Sequence, residues 1–308
     1  MRPQNSLYTS ENGSNMDTSD CDRSDDVAIV TGASSGIGRA VAERLAAVNA
    51  TVVVADIDTD GGAETVTAIE NDGGTAEFVR TDVSDAHDVS TMVEAAMDTH
   101  GSVDVLVNNA GGSFNDGNPH QVAEETWDRI VDVNLKGQFL CARETLPAMV
   151  ESGGGSMVHV SSVNAKLGIG LAAYSASKNG VLALSRLIAT QYGRHGVRSN
   201  AVCPGTIVTD ASSEKLTTEG PVRDEWLDQY PVGRFGHPED VAAAVEFLSS
   251  DAASFVSGTE LTIDGGLTAS LDQRLETMMY DIDDPVTDDA PTDNPSANEP
   301  PTDSDSDE

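Results

Sequence analysis

Short apolar runs recur along this chain, and between them apolar residues return every three or four positions. VAIVT (27–31), TVVVAD (51–56), AEFVR (76–80), VDVLVNNA (103–110), SMVHVSS (156–162), VRSNAVCP (197–204) and ELTID (260–264) predict seven strands. The strongest are continuous and β-branched, as in strands covered on both faces of a parallel sheet. GRAVAERLAAV (38–48) sets Val41, Leu45 and Val48 on one helical face and turns Glu43 and Arg44 outward. DAHDVSTMVEAAMDTH (85–100) and PEDVAAAVEFLSS (238–250) share that period, and the second opens with proline followed by acids, a helix-start signature. Strand–helix alternation of this kind predicts an α/β, doubly wound, mainly parallel seven-stranded sheet with helices on both faces. No second boundary interrupts residues 27–268, so one domain is expected there. Ligands of such sheets bind at the carboxyl ends of the strands.

Outside that block the pattern fades. Residues 1–26, rich in Ser, Asn and Asp, read as a flexible polar extension. Residues 281–308 combine prolines with acids of one sign and no aromatics, which predicts a disordered acidic tail. Charge then changes the picture further. The chain holds 52 acids against 17 bases, a formal net charge of -35. Residues 27–280 alone hold 35 acids and 15 bases, so the ends do not account for the acidity. Such a surface repels nucleic acid and anionic membranes. It also repels itself until molar salt shortens the Debye length to roughly 3 Å. With only four lysines against 13 arginines, the expectation is a halophile-like protein of a salt-rich cytoplasm. Cys21, Cys141 and Cys203 form no CxxC, which fits a reducing interior rather than a disulfide framework. The six histidines show neither HxH nor HExxH, so no metal site is expected. No apolar leader or run of about 18 apolar residues appears, and a cytoplasmic location is expected.

The chemistry-bearing residues cluster in short motifs. TGASSGIG (31–38) lies between the first strand and the first helix. Gly32, Gly36 and Gly38 let the backbone turn and approach a pyrophosphate at the helix N-terminus, with Ser34, Ser35 and Ile37 completing the loop. Asp56 ends the second strand, 18 residues after Gly38. An acid there accepts hydrogen bonds from ribose hydroxyls and repels a 2′-phosphate. With Ser35 rather than a basic residue before Gly36, the expected cofactor is NAD rather than NADP; the bland alternative for Asp56 is an acid starting a loop, DIDTDGG. YSASK (174–178) puts Tyr174 and Lys178 one helical turn apart. Tyrosine, with an unperturbed pKa near ~10, is a poor acid–base group at neutral pH unless a cation stands beside it.

In order, TGASSGIG, DVS (82–84), NNAG (108–111), VNLKG (133–137), SS (161–162), YSASK, PG (204–205) and DGG (264–266) resemble the motif series of the short-chain dehydrogenase/reductase family, over about residues 25–268. The resemblance implies a Rossmann-type fold and a hydride transfer between nicotinamide and a secondary alcohol or ketone. It implies that Tyr174 is the general acid/base and that Lys178 holds the nicotinamide ribose and lowers the tyrosine's pKa. Ser162, 12 residues before Tyr174, donates a hydrogen bond to the substrate oxygen in preference to Ser161, and Asn134 anchors a relay water. Asp82 and Val83 flank the adenine. Asn108, Ala110 and Gly111 lie on the ribose and pyrophosphate side, and Pro204, Gly205, Ile207 and Thr209 at the nicotinamide end.

Blander readings stand beside these: Asn134 as a helix cap, Asn164 as a loop cap or a ligand to a substrate hydroxyl, and Cys203 as a small strand-end residue. His159, His120 and Trp127 read as packing residues. The family further implies a homotetramer, or a dimer, through long helices at about 122–150 and 173–193, whose Leu182, Leu184, Leu187 and Ile188 exceed one buried face. Residues 269–280 extend past the family's usual end as an expected extra helix. The segment 209–230 is short and mixed in polarity, which favours a small polar alcohol, sugar or cyclic alcohol. The competing readings are a 3-oxoacyl-[acyl-carrier-protein] reductase and a non-catalytic NAD-binding protein.

Overall fold

The computed structural model describes residues 23–269 apart from 25, 210, 211 and 213–217. Most of the extension expected over 1–26, nearly all of the helix expected over 269–280, and the tail 281–308 lie outside the described residues. The chain divides into units Met1–Thr268 and Ala269–Glu308, and the first carries the fold described below.

Seven strands, β1 (Val27–Thr31), β2 (Thr51–Asp56), β3 (Thr75–Arg80), β4 (Val105–Asn108), β5 (Gly155–Val160), β6 (Val197–Pro204) and β7 (Glu260–Ile263), form one sheet. Its order is β3-β2-β1-β4-β5-β6-β7, and every neighbouring pair runs parallel. Successive residues of a strand face opposite sides, and the two cores follow that rule. Val30, Val52, Val54, Val107 and Val158 meet α1 (Gly36–Ala47), α2 (Thr59–Asn71) and α8 (Pro238–Ser249) on one face. Ile29, Val53, Leu106 and Met157 meet α3 (Ala86–His100), α5 (Gly137–Ser152) and α6 (Ala172–Tyr192) on the other. The sheet is therefore doubly wound. Chain order reverses between β1 and β4, and a crevice opens at their carboxyl ends, where such folds hold ligands.

Several boundaries differ from expectation for physical reasons. The run 103–110 is strand only over Val105–Asn108, because Asn109 and Ala110 turn out to meet the β1 loop. The stretch DIDTDGG, read as a loop, enters α2 at Thr59. Glycine is needed inside this helix at 62, where a Cβ would fall 2.1 Å from the Phe78 ring. The long helix expected near 122–150 is α4 (Glu124–Val131), a π-helical turn (Asp132–Lys136) and then α5. π-turns inside helices gather at functional positions, and this one contains Asn134. A short helix, α7 (Pro221–Leu227), follows the loop after β6. Near the start of the described chain, Arg23 donates from its guanidinium to Ser249 Oγ and to the Ser249 carbonyl, both at 3.0 Å. Among the described residues, no helix is long and apolar enough to cross a membrane.

Candidate active site

The crevice between the β1 and β4 ends is a cleft of about 940 Å³. Gly32 (φ 66°) and Gly36 (φ 53°) take the left-handed conformation that side chains resist. A Cβ on Gly32 would stand 2.7 Å from Ala110 Cα, and one on Gly36 would stand 3.2 Å from the Thr209 methyl. Gly38 does not line the cleft. Its role is close packing, since a Cβ there would lie 2.0 Å from the Gly32 carbonyl oxygen. Ser35 precedes α1 in an extended conformation and provides no side-chain cap. The first N–H groups of α1 are thus left for a ligand, as at anion-binding helix starts. Ser34, Ser35 and Ile37 line the cleft with them.

The next wall is acidic. Asp56 also lines the cleft; its carboxylate accepts the Ser34 and Asp58 amides, both at 3.0 Å. It thereby fixes the glycine loop as well as facing the space beside it. Asp82 accepts from the Ser84 amide at 2.9 Å and the Ser84 hydroxyl at 2.6 Å. Val83 packs on the cleft floor against Gly137. A basic group does stand near Ser35 after all. Arg39 folds back so that its guanidinium donates to the Ser34 carbonyl at 2.6 Å, to Thr65 Oγ1 and to Glu64. Those bonds engage its charge outside the cleft lining.

At the opposite end, Ser162, Tyr174 and Lys178 converge on the cleft. Tyr174 and Lys178 come from one face of α6, and Ser162 follows β5. Lys178 is almost wholly buried and donates from Nζ to the Val160 carbonyl at 2.8 Å, with Nζ 5.5 Å from the Tyr174 ring centroid. Burial lowers its pKa to about 8. Burial also pushes the Tyr174 hydroxyl above its ordinary value, against a hydrogen bond with Ser162 that favours ionisation. The lysine was expected to lower the tyrosine; here burial is the largest influence and the group that opposes it is Ser162, and each group is moved toward its neutral form. Ser161 and Ser162 differ clearly. The Ser161 hydroxyl is spent on the Lys178 carbonyl at 2.8 Å, whereas Ser162 Oγ accepts the Asn164 amide at 3.2 Å and lies beside Tyr174.

Asn134 and Asn108 stand behind the wall rather than in it. Asn134 is fully buried; its Oδ1 accepts the Gly112 amide at 2.9 Å and its Nδ2 donates to the Gly112 carbonyl at 3.0 Å. A Cβ on Gly111 would meet both Asn134 Oδ1 (2.8 Å) and Lys178 Nζ (3.2 Å), so these two groups meet around one glycine. Asn108 is buried with its Nδ2 3.3 Å from His159 Nδ1. The cleft residues here are Asn109, Ala110 and Gly111. At the end of β6 and just beyond it, Pro204, Gly205, Ile207 and Thr209 line the cleft, and Thr206 is clamped by Tyr230 Oη on its amide (2.8 Å) and Trp226 Nε1 on its hydroxyl (2.9 Å).

Residues 32–268 match the family model described as Enoyl-(Acyl carrier protein) reductase. The chain is 41% identical over 244 residues to cis-4-hydroxycyclohexanecarboxylate dehydrogenase of Sinomonas cyclohexanicum, covering 79% of this chain and 96% of that one. It is 38% identical over 244 residues to glucose 1-dehydrogenase 2 of Bacillus subtilis, covering 78% and 94%. A solved short-chain type dehydrogenase/reductase from Mycobacterium ulcerans superposes with a TM-score of 0.77 at 35% identity, over 80% of this chain and 90% of that one. The chain belongs to the short-chain dehydrogenase/reductase family. It is an oxidoreductase acting on CH–OH groups, and it shares the family's NAD(P) nucleotide cofactor. The cleft suits such a dinucleotide, because side chains at Gly32 and Gly36 would fill the space beside open helix N–H groups.

Within this short-chain dehydrogenase/reductase, sequence reasoning missed Asn109, whose Nδ2 donates to the Thr31 and Gly32 carbonyls, both at 3.0 Å. It also missed the α4 rim of the cleft, where the Arg129 guanidinium sits 4.5 Å over the Phe114 ring beside Glu125 and Asp128. Asn109 stands inside NNAG, where its neighbours were singled out instead, whereas no local pattern marks Glu125, Asp128 and Arg129, which reach the cleft only through chain crossing. Asn164 donates to the Ile169 carbonyl at 2.8 Å and so holds its own loop. His159 is fully buried; its Nδ1 lies 3.1 Å from Gln138 Oε1, to which it donates when protonated, and 3.3 Å from Asn108 Nδ2, from which it accepts when not, and burial lowers its pKa to about 4. Cys203 is buried at the end of β6. His120 is exposed and Trp127 is 40% exposed, so neither packs into the core of this chain.

Proposed function

We propose that the enzyme is NAD-dependent and moves a hydride between nicotinamide and a secondary alcohol or ketone, with Tyr174 as general acid/base. The observation that carries this is the convergence of Ser162, Tyr174 and Lys178 at the end of a cleft whose other end is the glycine loop and Asp56. Bound nicotinamide supplies the hydride acceptor or donor. In the oxidative direction Tyr174 Oη takes the alcohol proton and Ser162 Oγ donates to the substrate oxygen, fixing it for transfer. Lys178 binds the nicotinamide ribose, and with a pKa of about 8 it carries its proton at neutral pH and can pass one on. Asn134, clamped on Gly112 in the π-turn, anchors the water that links Lys178 to solvent. Asp56 favours NAD: a carboxylate on the cleft wall at the end of β2 would repel a 2′-phosphate, and Arg39 is engaged elsewhere.

The substrate we propose is a small polar, sugar-like or cyclic alcohol. The relatives named for glucose and for a hydroxycyclohexane acid support it. The assembly is a homotetramer in a salt-rich cytoplasm; support comes from Phe139 on α5 and Leu187 on α6, which are 45% and 50% exposed. Of the four apolar residues expected to exceed one face of α6, Leu182 and Ile188 are buried and Leu184 packs on the core.

Tyr174→Phe tests the mechanism. With D-glucose, cyclohexanol, cis-4-hydroxycyclohexanecarboxylate and a 3-hydroxyacyl thioester run against NAD and NADP in molar KCl, turnover by the variant is expected to fall about 10²–10⁴-fold. NADH binding, read by fluorescence, is expected to persist. Undiminished turnover by the variant would refute the assigned role. Preference for the thioester with NADP would replace the alcohol reading by the acyl-carrier reductase reading.

A further inference from the structure

The N-terminus of α6 carries Tyr174 in its first turn and Lys178 one turn later, yet it has no cap of its own. The residue before it, Leu171, is left-handed (φ 54°) and makes no side-chain capping bond, and Gly170 before that is also left-handed (φ 45°). The first intrahelical bond runs from the Ser175 amide to the Leu171 carbonyl at 2.9 Å. Earlier amides of the helix must therefore find acceptors elsewhere.

They find them more than fifty residues upstream, in the loop that follows β4. Asp116 Oδ2 accepts the Tyr174 amide at 2.7 Å. The Gly117 carbonyl accepts the Ala172 amide at 2.9 Å. Asp116 Oδ1 meanwhile accepts the Gly117 amide at 2.8 Å, and the Asp116 amide donates to the Ser113 carbonyl at 2.8 Å. The carboxylate thus does for α6 what an N-cap side chain does locally, taking the amide three residues past the cap, and it places negative charge at the positive end of the helix dipole. The same loop begins at Gly111 and Gly112, which touch Lys178 and Asn134, and continues through Phe114 on the cleft wall. One five-residue step of chain therefore joins the cleft wall to the backbone of the proposed acid/base.

The structure assigns Asp116 as a positioning residue: a cap in trans that holds the Tyr174 backbone at a fixed height against the loop after β4, so that the tyrosine hydroxyl and the cleft wall keep one geometry. This rests on the proposed role of Tyr174. The bond is charge-assisted and short, and a displacement of about 1 Å at a reacting group can cost about 10²-fold in rate. Asp116 itself does not line the cleft, so its effect belongs to turnover rather than to cofactor affinity.

Asp116→Ala and Asp116→Asn in the full chain, in molar KCl, test the assignment. The alcohol is whichever of D-glucose, cyclohexanol and cis-4-hydroxycyclohexanecarboxylate the wild type oxidises fastest. The expected result for D116A is a kcat reduced tenfold or more, with the NADH Kd changed less than twofold. D116N keeps one acceptor oxygen, which serves the Tyr174 amide while the local bond to the Gly117 amide is given up, and it is expected to recover kcat to within about threefold of wild type. Amide hydrogen exchange over residues 172–176 should quicken in D116A and not in D116N. A D116A kcat within twofold of wild type overturns the proposal. So does equal loss of kcat and NADH affinity without rescue by Asn, which is the signature of a loop that only needs the residue to fold. If D116A does not fold, D116N decides alone, and a kcat under a tenth of wild type rejects the idea. Turnover persisting in Y174F would instead remove the mechanistic reading, and the exchange experiment would still judge the cap.

Discussion

Lys178 shows what a functional side chain costs the fold that holds it. Among the described residues its ammonium has one acceptor, the Val160 carbonyl, and burial takes its pKa from 10.5 to about 8. That displacement corresponds to a penalty on the order of 3 kcal/mol. The sign follows from proton counting. Below about pH 8 both folded and unfolded chains carry the proton and the penalty is complete. Between 8 and 10.5 the unfolded chain holds more protons, so stability from this group rises with pH, and above 10.5 the penalty is gone. Lys178→Met should therefore abolish turnover yet raise Tm at pH 7, and the gain should shrink as the pH approaches 10.5. Thermal unfolding of both proteins at pH 7 and pH 10 measures it; a Met variant less stable at pH 7 contradicts the account. Tyr174 and Lys178 were legible as a pair because a four-residue spacing is local information. The direction of the tyrosine shift was not, since it depends on how much protein surrounds the hydroxyl.

At the level of elements, the β1–α1 join is set by how closely a helix can approach a strand end. Gly38→Ala would put a methyl 2.0 Å from the Gly32 oxygen and 2.5 Å from Asn109 Nδ2. Because both are held by the sheet, α1 must move, taking its open N–H groups with it. We expect a lower Tm and at least a tenfold weaker NADH affinity, measured by thermal unfolding and fluorescence titration. Gly193→Ala, at φ -56° with nothing within 4 Å, should leave both unchanged and serves as the control. If both variants behave alike, close packing is not the reason for glycine at 38. Strands β1 and β2 were readable to the residue because each is an unbroken apolar run between polar ends. Helix α2 was hidden by Gly61 and Gly62: a Cβ on Gly62 would meet the Phe78 ring of a neighbouring strand, and one on Gly61 would meet Asp58 and Ser34. The π-turn at 132–136 was hidden because its residues keep helical periodicity while the hydrogen-bond pattern slips.

Across the whole molecule, charge is the dominant fact. Most arginines of the described chain meet a carboxylate, as in Arg80–Asp88 at 2.9 Å and Arg234–Asp240 at 2.7 Å, and the acidic surplus is left facing solvent. The Arg234 guanidinium holds Asp240 down to about 2, so that pair stays ionised over the working range. The unpaired acids repel one another across the surface, and screening is what relieves them. Tm and turnover are expected to rise between 0.1 M and 3 M KCl. Sedimentation velocity across the same series should show a tetramer at high salt and smaller species at low salt. Greatest stability at the lowest salt would defeat the halophile reading, and a monomer throughout would defeat the assembly.

The amino-acid sequence by itself determined the α/β class, the order of the seven strands, the glycine loop and the local spacing of the tyrosine and lysine. Each of these is written in contiguous residues, as an apolar period, a turn or a helical spacing. Tertiary structure decided everything that depends on distance through space. It spent the Ser161 hydroxyl on α6 and left Ser162 beside Tyr174, and it put Asn109 rather than Asn108 in the cleft wall. It brought Arg39 back to Ser34, and it capped the helix of Tyr174 with Asp116. Such pairings join residues that the pattern of apolar and polar positions cannot relate, because packing of the sheet and its helices, not neighbourhood along the chain, brings them together.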